Sequence, residues 1–287
     1  MATDREYCAE VAAAEGEGLA GTADVVDAWI LLEYLPAWTA KATSDNALSA
    51  AAREWLARLA AGAASRGHKA RLQFIRQPEI DRTGATVMVA VDGCLHRVDA
   101  PDYDALTAQT YESVLAASRE TAAQYFVCTN GQRDVCCARF GLPTYAALRE
   151  RVGARVWQTT HVGGHRFAPN VLALPQAALY GRVQASDVDA FVDAIEAGGL
   201  APRWLRGRTK YAPEVQAAEA ALAQRGIDTR GSVVATPIDG GIEVRFGAHS
   251  IAVRRGEPRA VLTSCGDERK PVAPLLVSEL VSEPRVR

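Results

Sequence analysis

Two stretches of the chain run through the same order of short elements at a near-constant offset, and no other feature restricts the fold as much. In the first stretch, 29–34 reads as a strand. The segment 47–66 reads as a helix, with Leu48, Trp55, Leu56 and Leu59 on a common face. The residues of 71–76 alternate as a strand does. Segments 86–91 and 95–98 flank Asp92-Gly93, a two-residue hairpin turn signal, and a helix is predicted over 103–118. The second stretch repeats the series. It has a strand over 124–127, then a helix over 134–152 with Asp134 as N-cap and Gly153 as stop. A strand follows over 155–160, then a hairpin of 171–174 and 179–183, then a helix over 187–196 capped by Ser186. Arg71 to Arg155 is 84 positions, Thr86 to Val171 is 85, and Tyr103 to Ser186 is 83.

Strand, helix, strand, hairpin, helix is the order of a thioredoxin-like unit. Two in tandem predict an α/β chain built by internal duplication, with units at 1–120 and 121–205. Composition changes after Trp204. The run RGRTK reads as a linker to a small α+β appendage, 206–287, with an Ala-rich helix over 214–225. Short strands at 232–235, 242–246 and 250–254 complete it, with a turn at Asp239-Gly240-Gly241. The appendage carries no catalytic motif.

A formal net charge of -2 gives no bulk reason to expect nucleic acid or an anionic membrane as partner. The arginines are scattered; the small group Arg203, Arg206 and Arg208 reads as a solvated loop. The N-terminal MATDREYCAE lacks the apolar run of a secretory signal, and the apolar stretch 29–38 is broken by Glu33 and Pro36. A cytoplasmic protein is expected, whose six cysteines stay reduced. Three of them, Cys128, Cys136 and Cys137, fall close together, as metal or redox cysteines do.

Two segments carry the chemistry. One is CTNGQRDVCC, 128–137; the other is HVGGHRF, 161–167. Cys128 is placed at a strand end and Cys137 in the first turn of the next helix, where the dipole and free amides favour a thiolate. His161 ends the following strand. Gly163-Gly164 rules out one helical face for His161 and His165, and lets the backbone approach a ligand closely. Two thiolates and two imidazoles suit zinc or an iron–sulfur centre. Cys136 and Cys137 are adjacent, and chemistry alone does not choose between them. Cys8, Cys94, Cys265, His68, His96 and His249 have no such company and are read as structural or incidental.

The pair CTNGQRDVCCARFG and WQTTHVGGHRFAPNVLALPQAALYGRV resembles the sucrase/ferredoxin-like family of thioredoxin-like 2Fe–2S ferredoxins. The segments GTAD…WILLEY…AW and VQAAEAAL share the likeness. The resemblance implies a 2Fe–2S cluster on Cys128, Cys137, His161 and His165, with Cys137 rather than Cys136 as ligand. It implies a one-electron carrier rather than an enzyme; no carboxylate pair suited to sugar hydrolysis is evident. Two ferric ions, two sulfides, two thiolates and two neutral imidazoles sum to zero charge. The potential should therefore exceed that of plant-type ferredoxins. Solvent-exposed imidazole nitrogens would couple reduction to proton uptake. Arg166 would raise the potential if it lay near a sulfide, or else form a surface ion pair.

Two other classes compete. A structural zinc protein would use the same four ligands. A thioredoxin-like thiol redox protein would use Cys136-Cys137, although the chain has no CxxC and adjacent cysteines make a strained disulfide. No Gly-rich dinucleotide fingerprint is found, so a separate reductase is the expected partner.

Overall fold

The computed structural model describes residues 6–278 and 281–282. The first half contains α1 (Cys8–Ala14), β1 (Ala28–Glu33), α2 (Ala50–Ser65), β2 (Ala70–Arg76), β3 (Ala85–Val91), β4 (Cys94–Ala100), α3 (Tyr103–Thr107) and α4 (Tyr111–Ala116). The second contains β5 (Gln124–Cys128), α5 (Val135–Val152), β6 (Val156–Thr159), β7 (Val171–Leu174), β8 (Ala178–Tyr180), α6 (Val188–Glu196) and β9 (Leu205–Arg208). Then come α7 (Pro213–Gln224), β10 (Val233–Ile238), β11 (Gly241–Phe246), β12 (His249–Arg255), β13 (Arg259–Val261), β14 (Lys270–Val272), β15 (Leu275–Val277) and β16 (Val281–Ser282).

The predicted series is present in both halves. β1 lies parallel to β2 and antiparallel to β3, and β5 lies parallel to β6 and antiparallel to β7. One nine-stranded sheet results, in the order β4-β3-β1-β2-β6-β5-β7-β8-β9. The halves meet where β2 and β6 pair antiparallel, Ile75 opposite Thr159 and Arg76 opposite Gln158. Period-two alternation then sorts the side chains. Ile30 and Leu32 pack beneath α2 to α4, and Tyr125 and Val127 pack beneath α5 and α6. Trp29, Leu31, Phe126 and Trp157 point to the other face. There Met88 and Leu95, near one edge of the sheet, join Leu172 and Leu179, near the other, in one cluster. The sheet therefore curls on itself, with each fully buried large apolar side chain contributing about 1.5–3 kcal/mol.

Four expectations change. The helix over 103–118 is two helices, because Thr110 and Ser113 form a capping box that starts α4 afresh. Ser186 does not cap α6; it lies in a 3-10 turn, where the Asp187 carboxylate accepts the Gln184 N–H. RGRTK is no linker: Leu205–Arg208 is the ninth strand, paired with β8, so the expected boundary at 205/206 cuts through the sheet. The third region is fused rather than tethered. α7 packs Val215, Ala218 and Leu222 against Val244, Phe246, Ile251 and Val253 of the β10–β12 sheet, while its buried Gln216 bonds Ala23. Among the described residues no helix is long and apolar enough to cross a membrane.

Candidate metal centre

The site lies where β5 and β6 end beside the start of α5. β5 carries Cys128 to its last position, and its backbone N–H donates to the Asn170 carbonyl at 3.0 Å. The chain turns through 129–134. Asp134 then caps α5 by accepting the Cys136 N–H at 2.9 Å, so Cys137 is the third residue of the helix. Close approach of helix and strand depends on Gly141, where a Cβ would stand 2.2 Å from the Cys128 carbonyl oxygen.

His161 follows β6 by two residues. Its Nδ1 lies 3.9 Å from Cys128 Sγ and 3.8 Å from Cys137 Sγ, and the three donor atoms fall within 4.8 Å of one another. Gly163 and Gly164, at φ of +94° and +67°, turn the chain in the left-handed region into a 3-10 turn, His165–Phe167. His165 stands outside the tight trio. Its ring stacks on that of His161 with centroids 4.7 Å apart, and its Nδ1 is buried without a hydrogen-bond partner. Its Nε2 faces Asp134 Oδ2 at 3.8 Å.

The protonation pattern suits ligation. Burial, and then the neighbouring His161, push the His165 pKa down to about 4, so the ring is neutral near pH 7. Cys128 is held well below the usual thiol value, chiefly because the Cys137 S–H donates to its sulfur; Cys137 is correspondingly pushed up. Two soft sulfurs, one imidazole nitrogen on them and a second left orphaned are a donor set that a cation would complete. That set fits a two-cysteine, two-histidine metal group.

Several supporting residues have no motif to announce them. Arg71 and Gln73 of β2 donate to the His161 carbonyl at 2.8 and 3.1 Å. Arg206, read from sequence as part of a solvated loop, is 1% exposed. Its guanidinium donates to the Gly163 carbonyl and to Asn170 Oδ1, both at 2.8 Å, and to the Thr22 carbonyl at 2.5 Å. Asn170 in turn donates to the Gly164 carbonyl at 3.0 Å. The His161–His165 turn is thus gripped from two strands, β2 and β9, and from the loop that carries Asn170. Arg208 is no solvated residue either: it pairs with the buried Glu219. Arg166 takes the ion-pair alternative, with Glu17 at 2.8 Å.

Cys8 and Cys265 are not incidental. With Cys136 and Asp134 they form a second compact group. Only the folded chain reveals it, because Cys8 and Cys265 are 257 positions apart. Cys94, His68, His96 and His249 join neither group.

The model of the family described as sucrase/ferredoxin-like matches residues 19–207. Among solved structures, a thioredoxin-like [2Fe-2S] ferredoxin from Aquifex aeolicus is 21% identical over 29% of this chain and 88% of its own, with a TM-score of 0.26. A cysteine-to-serine variant of that ferredoxin is 21% identical over 29% of this chain and 97% of its own, with a TM-score of 0.27. No curated protein matches the chain.

Proposed function

The chain belongs to the sucrase/ferredoxin-like family, and from that membership together with the donor set we propose that Cys128, Cys137, His161 and His165 hold a 2Fe–2S cluster with which the protein passes single electrons. The carrying observation is the convergence of both cysteine sulfurs on His161 Nδ1, with the partnerless Nδ1 of His165 in the adjoining ring. When bound, the group supplies a one-electron couple. Everything else is done by the chain. The start of α5 offers dipole and amides to the Cys137 sulfur. Arg71, Gln73, Arg206 and Asn170 fix the histidine turn from behind. Both imidazoles are only partly buried, so the histidine side is the edge nearest solvent and the side at which a redox partner would dock. The donor of electrons is a separate reductase, and the protein has no substrate chemistry of its own.

A second reading has one specific support. Donor atoms 3.8–3.9 Å apart are as close as ligands of a single tetrahedral ion, so one zinc on the same residues fits the compactness of the trio. The test is protein purified without oxygen. A brown solution with two irons and two acid-labile sulfides per chain, colourless in Cys128→Ser and in Cys137→Ser, supports the cluster. A colourless wild type holding zinc and no sulfide would replace it with the zinc reading.

A further inference from the structure

Behind the first site, three segments remote in sequence bring three more sulfurs together. Cys8 begins α1, Cys136 is the second residue of α5, and Cys265 lies in the loop between β13 and β14. Their Sγ atoms form a triangle with edges of 3.6 Å (Cys8–Cys136), 3.3 Å (Cys136–Cys265) and 3.6 Å (Cys265–Cys8). Both carboxylate oxygens of Asp134 lie 3.8 Å from Cys8 Sγ, and one donor atom from each of the four residues falls within a 4.8 Å group. Cys8 and Cys136 are fully buried, Asp134 is 5% exposed, and Cys265 is half-buried, which leaves an entry path from solvent.

The geometry points to a second metal site: Cys8, Cys136, Cys265 and Asp134 hold a single zinc ion. Size decides between kinds of group. Zinc–sulfur bonds of ~2.3 Å at tetrahedral angles place ligand sulfurs roughly 3.8 Å apart. The observed triangle is slightly tighter than that. Sulfurs that bind different irons of a cluster stand much farther apart, so the triangle has room for one ion. A disulfide would take up two of the sulfurs and leave the third idle, whereas all three approach one another about equally.

The surroundings suit thiolates. The Cys8 N–H donates to Cys265 Sγ at 3.4 Å, and the Ala9 backbone N–H donates to the Cys136 sulfur. Asp134 is oriented by the Cys136 N–H, by the Cys265 N–H at 2.9 Å and by the Ser264 hydroxyl at 3.1 Å. Each carboxylate oxygen has two acceptor positions, which leaves Oδ1 able to bind the ion while it accepts the Cys136 N–H. Such donors around the ligands are what holds a metal site in shape. Metal-free, Cys8 and Cys265 hold their protons: the Cys8 thiol is pushed far up by its bond to Cys136 and by burial, and burial lifts Cys265 to about 11. A divalent cation would displace these protons. The consequence is structural. The ion would clamp α1 and the β13–β14 loop onto the start of α5, tying both ends of the described chain to the helix that carries Cys137.

The experiment uses full-length protein, purified without chelator or oxygen, with metals counted per chain and X-ray absorption recorded at the zinc edge. Wild type should hold zinc with a first shell of three sulfurs at ~2.3 Å and one oxygen at ~2.0–2.2 Å. The Cys8→Ser/Cys265→Ser double variant should lose more than about tenfold of that zinc while its iron stays unchanged. Cys94→Ser should change neither. Wild type without zinc, zinc retained in the double variant, a shell of two sulfurs and two nitrogens alone, or a Cys136–Cys265 disulfide would each overturn the site. Should the double variant fail to fold, the wild-type absorption edge decides alone. Iron content reports the first site separately, so failure of the cluster reading appears as missing iron, not missing zinc.

Discussion

The two halves of the nine-stranded sheet share strand order and sense, yet only the second gathers a Cys/His donor group where its parallel strands end. The registers locate equivalent positions. Cys128 pairs with Thr159 on its parallel neighbour, as Glu33 pairs with Ile75. Cys137 is third in α5, and Ala52 is third in α2. His161 lies two residues beyond Thr159, and Gln77 lies two beyond Ile75. The first half therefore presents Glu, Ala and Gln where the second presents Cys, Cys and His. Its residues are spent on the junction instead. Gln77 donates to the Ala154 and Val156 carbonyls, and Arg71 and Gln73 grip the carbonyl of His161. The same strand order serves as site in one half and as buttress in the other. A few side chains, not the topology, decide which.

Giving the second half the first half's residues should erase that distinction. Cys137→Ala places the residue of α2 into α5. Removing a ligand exceeds the 10–100-fold weakening typical of losing a ligand's support, so iron should fall by more than about 100-fold, as elemental analysis would show. Ala52→Ser in the first half should leave iron unchanged. Equal iron in both variants would mean that the halves do not differ in the way the registers suggest.

Next in size is Arg206→Met. The substitution removes a buried guanidinium and leaves the Gly163 and Thr22 carbonyls and Asn170 Oδ1 without it. Leaving such buried acceptors unpaired costs about 1–3 kcal/mol each. Urea unfolding should show the loss as a lower midpoint, with iron retention falling alongside because the histidine turn is no longer held. A change below about 1 kcal/mol would place the support of that turn in the first half alone.

Arg206 also marks where sequence reading stops. Element order, both hairpins and the two Cys/His segments are legible because each has a local signal: alternation, an Asp-Gly turn, a cap, paired glycines. RGRTK looks like a linker because an edge strand of four residues with two arginines has too little periodicity to register, and its burial depends on what packs over it. The Cys8–Cys136–Cys265 triangle has no spacing rule at all. Its members converge only after α1 and the β13–β14 loop have docked on α5.

The two long helices offer a smaller test. In α5 a Cβ on Gly141 would meet the Cys128 carbonyl oxygen at 2.2 Å, which is backbone. In α2 a Cβ on Gly62 would meet the Tyr111 side chain at 2.5 Å. Each alanine overpacks its helix, at about 1–3 kcal/mol. The consequences should differ. Gly141→Ala displaces the strand end that presents Cys128, so iron retention should drop with stability. Gly62→Ala shifts α4 and should lower thermal stability with iron intact. Parallel iron loss in both would mean that α2 packing reaches the site.

The smallest expected effect is Gln73→Leu. The Gln73 amide donates to the His161 carbonyl, and its oxygen accepts the Thr160 hydroxyl. Leucine fills similar volume but leaves that hydroxyl short of an acceptor. Two hydrogen bonds are lost, at about 0.5–1.5 kcal/mol net each, while the carbonyl keeps its bond from Arg71 at 2.8 Å. Denaturant unfolding should resolve that loss with the iron content nearly unchanged. The double variant Arg71→Met/Gln73→Leu removes both donors from the carbonyl, and its effect should exceed the sum of the single ones, since the two share an acceptor. Simple additivity would mean that β2 braces the fold but not the histidine turn, and the buttress role of the first half would shrink to the strand pairing between Ile75 and Thr159.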